Sequence, residues 1–140
     1  ALIRGQLETL LAGPELLYKY DNDTTNVVLR TGEVPGLIDF EQCLPGTRAM
    51  MLGALFDCLH DVRPTPNGLT CECRLPWQAF MSGFVREYPE INGISLSTIL
   101  AGACLNHWVR VQSVGGDLAT WVARLGARFQ HYLELRAITG

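Results

Sequence analysis

Two short apolar runs, Val27-Val28-Leu29 and Gly36-Leu37-Ile38, are bounded by polar residues, and Thr31-Gly32-Glu33 between them reads as a turn. Runs this short, separated by turn residues, fold back on each other as a hairpin. That pairing returns Asn26, which precedes the first run, and Asp39, which closes the second, to one end of the ladder. Asp21 then falls on the loop leading in, ahead of Asn22-Asp23-Thr24-Thr25. A lone hairpin is marginal in water, so the remainder of the chain has to receive it.

That remainder reads as helices. Leu2, Ile3, Leu7, Leu10 and Leu11 recur at helical spacing until Gly13-Pro14 stops them, and Leu16 to Tyr20 is a short extended run. Pro45-Gly46 predicts a turn, and Thr47 caps a helix to about His60 in which Met50 and Met51 serve as core filler. Pro64, Pro66 and Asn67-Gly68 predict an irregular, mobile connection over Arg63 to Arg74. Leu75 to Tyr88 follows as a helix with Pro76 in its first turn, broken by Pro89 and Asn92-Gly93. Ser95 caps a largely apolar helix to about Val114, Gly115-Gly116 ends it, and Asp117 caps the last one, to about Ile138. The expected fold is mainly α with one small β-hairpin (α+β), four or five helices in a single domain over residues 1–140.

Composition narrows the partners. A hydrophobic content of 48% with 18% charged residues fits a globular domain with a substantial core. A chain of 140 residues hides about two thirds of its unfolded surface on folding. The net charge of -3 argues against nucleic acid or an anionic membrane as the main partner. No apolar run approaches the ~18 residues of a membrane span, and no secretory signal pattern is present. The cysteines, Cys43, Cys58, Cys71, Cys73 and Cys104, are odd in number and irregular in spacing, which predicts reduced thiols in a cytoplasmic protein. The start at Ala1, within a helical pattern, predicts a piece of a longer protein.

The polar residues around the hairpin form a chemical set. A carboxylate to take a proton, with an amide and a second carboxylate to hold a hard divalent cation, is what phosphoryl transfer from a nucleotide draws on. Asn26 follows Asp21 by five positions and Asp39 follows Asn26 by thirteen. Over roughly residues 16 to 48, Lys19-Tyr20-Asp21-x-x-x-x-Asn26-Val27-Val28-Leu29 and Leu37-Ile38-Asp39-Phe40-Glu41 resemble two segments of the aminoglycoside phosphotransferase and choline kinase family, relatives of protein kinases. In that family a His-Gly-Asp-x-x-x-x-Asn-Val-Leu motif precedes a hairpin ending in Ile-Asp-Phe/Trp-Glu. The chain departs from it with Lys19-Tyr20 in place of His-Gly, and with Met51 where the family tends to have aspartate. Lys19 is placed to form the hydrogen bond of the missing histidine.

The resemblance implies the C-terminal lobe of a protein-kinase-like phosphotransferase. By position, Asp21 is the catalytic base, Asn26 and Asp39 hold magnesium against the phosphates of ATP, and Glu41 faces the substrate. The acceptor is a small molecule with a hydroxyl or amine, chosen by the helices after Thr47 and by the Arg63–Arg74 segment. The glycine-rich loop and strand lysine of the family's nucleotide lobe are absent from this sequence, so the chain alone is expected to be inactive. An apolar surface near the hairpin is then left for a homodimer contact. The departures also support an alternative, a non-catalytic interaction module on a degenerate kinase-like scaffold. Elsewhere Asp39 is expected to be half-buried, with Lys19 the cation nearest it, and Trp77, Trp108 and Trp121 to lie at core positions. Arg124, Arg128 and Arg136 read as a solvated stripe, and His60, His107 and His131 as isolated packing residues.

Overall fold

The computed structural model describes residues 2–21, 26–28, 30–32, 36–73, 77–114 and 117–139. Leu29, Glu33, Leu75, Pro76, Gly115 and Gly116, with their expected strand, turn, first-helical-turn and helix-ending roles, lie outside the described residues. In chain order the elements are α1 (Leu2–Leu11), β1 (Leu16–Lys19), β2 (Val27–Val28), β3 (Gly36–Leu37), β4 (Cys43–Gly46) and α2 (Arg48–Cys58), then β5 (His60–Thr65), β6 (Gly68–Cys73), α3 (Trp77–Glu87), α4 (Leu96–Val114) and α5 (Leu118–Thr139). A 3₁₀ turn over Pro89–Gly93 joins α3 to α4.

This is a mainly helical α+β domain, as expected, but with more β structure than one hairpin. β2 and β3 pair over two residues each, Val27 with Leu37 and Val28 with Gly36. β1 pairs antiparallel with β4, which places Pro45 and Gly46 in a strand rather than the expected turn. The expected irregular connection over Arg63 to Arg74 is, in its described residues 63–73, part of a regular hairpin: β5 and β6 pair from His60↔Cys73 to Thr65↔Gly68. Pro66 and Asn67 make its two-residue loop, and Gly68 takes the positive φ of 123° that closes it. Pro64 is tolerated because each strand of a two-stranded ladder is an edge, where a missing N–H can face outward.

The helix starts follow the expected capping chemistry. Thr47 Oγ1 accepts from Met50 N at 3.3 Å and donates to the Leu10 carbonyl at 2.5 Å, so one hydroxyl starts α2 and ties it to α1. Ser95 Oγ accepts from Thr98 N at 3.2 Å, and the Asp117 carboxylate accepts from Ala119 N and Thr120 N at 3.1 Å each.

The core lies where α2 crosses α4. Leu52, Phe56, Ile99, Leu100, Ala101, Ala103 and Cys104 are buried there, with Tyr132 of α5 closing the far side. The crossing is backbone against backbone: a Cβ on Gly53 would stand 2.4 Å from the Gly102 carbonyl carbon. Gly53 cannot take a side chain without pushing the helices apart, and a Cβ on Gly102 would press on the Ala49 carbonyl oxygen at 3.1 Å, so the small residues set the interhelical distance. Trp108 departs from its expected core position. It is 44% exposed on α4, because its inward-facing neighbours Asn106 and His107 take the buried side of that turn.

Those buried neighbours belong to a polar knot around Asp57, which is fully buried near the end of α2. Its Oδ1 lies 3.0 Å from Arg128 Nη1 and accepts from Tyr132 OH at 3.3 Å. Its Oδ2 accepts from Asn106 Nδ2 at 3.1 Å, and its main-chain carbonyl accepts from Arg128 Nη1 at 3.0 Å. Burial, then the negative charge of Asp57, holds the Tyr132 phenol well above its ordinary range, so it stays a donor. Arg128 is therefore a buried ion-pair partner rather than part of a solvated stripe, while Arg124 and Arg136 are exposed.

Removing one partner of a buried ion pair strands the other charge, which typically costs 3–5 kcal/mol, whereas an apolar replacement of both is tolerated far better. Asp57→Leu is expected to lower stability by about 3–5 kcal/mol in urea denaturation, and Asp57→Leu with Arg128→Met to recover most of the loss. A neutral single variant would show that the knot does not hold the helices.

Candidate functional site

The segment entering the site is built outward from packing. Tyr18 and Tyr20 are buried against Ala54 of α2, with Leu16, Leu44, Met50, Met51 and Val109 around them. Tyr20 N donates to the Gln42 carbonyl at 3.2 Å, carrying the β1–β4 pairing one residue further. Tyr20 is thus a hydrophobic anchor for the residue that follows it. Lys19 is buried, and its ammonium donates to the main-chain carbonyl of Asp39. A buried ammonium needs an acceptor, and this one joins the end of β1 to a residue two positions beyond β3.

Asn26 is also buried, and its Nδ2 donates to the Asp21 carbonyl at 3.2 Å. Ile38 N donates to the Asn26 carbonyl at 3.0 Å, so Asn26 and Asp39 do meet at one end of the β2–β3 ladder. The links are to the main chain: Asn26 reaches the Asp21 carbonyl through its amide and Ile38, the neighbour of Asp39, through the ladder, while the Asp21 carboxylate faces Arg110. Asp39 is exposed rather than half-buried, because Lys19 engages its main chain and the carboxylate stands off the β3 end. Its φ of 61° lies in the left-handed region, which a non-glycine residue occupies at a cost of about 1–2 kcal/mol. Glu41, two residues on, is exposed.

The donors fit a hard cation in part. With its NH₂ committed to the Asp21 carbonyl, Asn26 has Oδ1 as its remaining donor atom, and Asp39 adds an exposed carboxylate at the same ladder end. Among the described residues no group of three or more His, Cys, Asp or Glu side chains is placed to hold a metal. A cation here would take one amide oxygen and one carboxylate from this segment and the remainder from water and phosphate oxygens, the habit of magnesium. The cysteines are free thiols, and burial pushes Cys71 up to about 11 and Cys104 to about 12, so these two are packing residues.

Sequence reasoning missed the residues behind the loop. Arg110 of α4 brings Nη2 to 3.2 Å from Asp21 Oδ1, an ion pair without hydrogen-bond alignment, and Nη1 to 4.0 Å from Asp57 Oδ2. It spans from the candidate base to the Asp57 knot. Beside it a polar cavity of about 170 Å³ opens between β5, α4 and α5, lined among others by His60, His107, Arg110, Trp121, Arg124 and Arg128. A signal for it was present: Asp57 is a lone carboxylate in an otherwise apolar helix, and Arg124, Arg128 and Tyr132 recur every fourth residue on one face of α5.

His60 and His107 are buried in this region. Burial lowers both from the ordinary 6.5 to about 4, with Arg128 and other nearby charges secondary to it. Both rings are neutral at pH 7. The Phe56 carbonyl can only accept, so His60 holds its proton on Nδ1, at 2.7 Å from that oxygen, and leaves Nε2 as an acceptor.

No protein-family model matches the chain, and no curated protein or solved structure matches it. No described helix is long and apolar enough to cross a membrane.

The two histidines set a pH response. Their folded-state values lie below the unfolded value, so the unfolded chain takes up protons first as pH falls. Stability from this source is complete above about pH 6.5 and declines toward about pH 4, by about 2 kcal/mol per histidine at about pH 5. Urea midpoints measured between neutral and acidic pH are expected to fall, and His60→Phe is expected to flatten the profile.

Proposed function

We propose that this chain carries the catalytic and acceptor-binding part of an ATP-dependent phosphotransferase acting on a small-molecule hydroxyl or amine. The supporting observation is the joining of two segments: Asn26 Nδ2 to the Asp21 carbonyl at 3.2 Å, and the Lys19 ammonium to the Asp39 carbonyl. In this reading Asp21 orients the acceptor and receives its proton, while Asn26 and Asp39 supply the two protein oxygens for magnesium. Bound magnesium would neutralise phosphate charge. The loose transition state of phosphoryl transfer needs positioning and charge neutralisation more than a strong base. The left-handed backbone at Asp39 supports the same reading, since strain retained at one polar residue is a mark of a functional position.

The Arg110 contact favours a second reading. An arginine 3.2 Å from Asp21 Oδ1 occupies the carboxylate that a base must keep free, as a non-catalytic module on a degenerate scaffold would allow. In the intact protein, Asp21→Asn is expected to lower phosphoryl transfer from magnesium ATP to a panel of small alcohols and amines by at least about a hundredfold, with thermal stability retained. Unchanged transfer removes Asp21 from the mechanism. Calorimetry that finds no Asp39-dependent binding of magnesium ATP favours the module.

The proposal extends to self-association. Leu17 is 72% and Phe40 59% exposed, with Val28 and Ile38 also open around the small ladder. Large apolar side chains left exposed on β1, β2 and the residues after β3 suit contact with a second copy. Light scattering of Leu17→Ser with Phe40→Ser is expected to show a smaller particle than the parent chain, and a parent chain that is monomeric at high concentration rules this contact out.

A further inference from the structure

The cavity beside Arg110 contains more unanswered polarity than a packed interior tolerates. His107 is 2% exposed, and neither of its ring nitrogens has a hydrogen-bond partner; His60 Nε2 and Arg128 Nε are likewise buried and unpartnered. Each such group costs about 1–3 kcal/mol if left dry. All three residues line the same cavity.

The charges there point to the sign of the occupant. Arg128 is paired with Asp57 at 3.0 Å, Arg110 with Asp21 at 3.2 Å, and Asp61 on the cavity wall with Arg63 at 3.5 Å. Arg124 rests over the Trp121 ring, 5.7 Å from its centre, and has no carboxylate partner among the described residues. Water would satisfy single nitrogen atoms but brings no charge to Arg124. An oxyanion does both: it accepts from Arg124 and from Arg128 Nε–H, and from His107 when that neutral ring carries its one proton on Nε2, the nitrogen away from the Asp57 carboxylate that stands 3.8 Å from Nδ1. His60 Nε2, with its proton on the other nitrogen, asks instead for a donor such as a hydroxyl. A volume of about 170 Å³ is below the roughly 300 Å³ at which drug-sized sites begin, so the occupant is small.

We infer that this cavity binds the oxyanion head, carboxylate or phosphate, of a small hydroxylated metabolite, with Arg110 joining the bound anion to Asp21. The inference names the class of acceptor and rests on the phosphotransferase reading for that role; the binding site itself rests on the cavity residues alone. An anion on the cavity side of Arg110 shares its guanidinium with Asp21 and loosens that ion pair as the acceptor arrives. A large polycationic acceptor is excluded by the same charge and volume.

The test is calorimetric titration of the chain with inorganic phosphate and, separately, with glycerate. Saturable binding of at least one probe is expected. Arg124→Gln should weaken it at least about tenfold and Arg124→Lys restore part of it, while Arg136→Gln, exposed on the same helix, should leave it within about twofold. Tighter glycerate binding identifies a carboxylate head, and tighter phosphate binding a phosphate monoester. No saturable binding of either probe, or equal binding by Arg124→Gln, overturns the inference. Anion binding without phosphoryl transfer by the intact protein keeps the cavity and removes the role of Asp21. Transfer to an uncharged acceptor with a silent cavity does the reverse.

Discussion

The buried carboxylate of Asp57 is the constraint around which the helices are arranged. A charge with no exposure to water must find its solvation inside the protein, and here that solvation comes from Asn106 on α4 and from Arg128 and Tyr132 on α5. One side chain near the end of α2 therefore fixes the rotation and axial position of two other helices. The apolar contacts of the core would permit some sliding of α5; an ion pair at 3.0 Å and a hydrogen bond at 3.3 Å to one carboxylate do not. The close approach of Gly53 and Gly102 acts with it, since it brings α2 and α4 near enough for Asn106 to reach Asp57.

The same knot determines what lies beneath the Asp21 loop. Arg110 sits on α4 one turn beyond Asn106 and reaches toward both Asp57 and Asp21, so the electrostatics of the loop are coupled to the core. The residues that lead to Asp21 are held from the other side by Tyr18 and Tyr20 packing on Ala54 and by the Lys19 tether to Asp39. Lys19 and Tyr20 are both buried there, the lysine through its hydrogen bond to the Asp39 carbonyl and the tyrosine through apolar packing. The local geometry is thus maintained by packing and one long-range hydrogen bond, and it leaves the Asp39 carboxylate open to solvent.

Much of the framework was legible from local chemistry. Thr47, Ser95 and Asp117 each cap the helix they precede, because a side-chain oxygen satisfying an orphan N–H acts within three residues. Asn26 and Asp39 meet because hairpin pairing follows from short apolar runs and a turn between them. The Arg63–Arg74 segment was misread, since its prolines suit an edge ladder as well as a loop, and only a partner strand tells the two apart. The arginines of α5 were misread for a similar reason: a basic stripe is a solvated face unless a buried carboxylate lies opposite one member.

What the sequence determined by itself was the helices, their caps and the pairing of the two short runs on either side of Thr31-Gly32, all of which depend on neighbours a few positions away. Only the tertiary structure decided that Asp57 lies at the centre, that Arg128 is buried while Arg124 is open, and that Arg110 connects the loop to a polar cavity. These pairings join residues some 50 to 90 positions apart. Such contacts follow from how helices pack, which the spacing of residues along one helix does not encode.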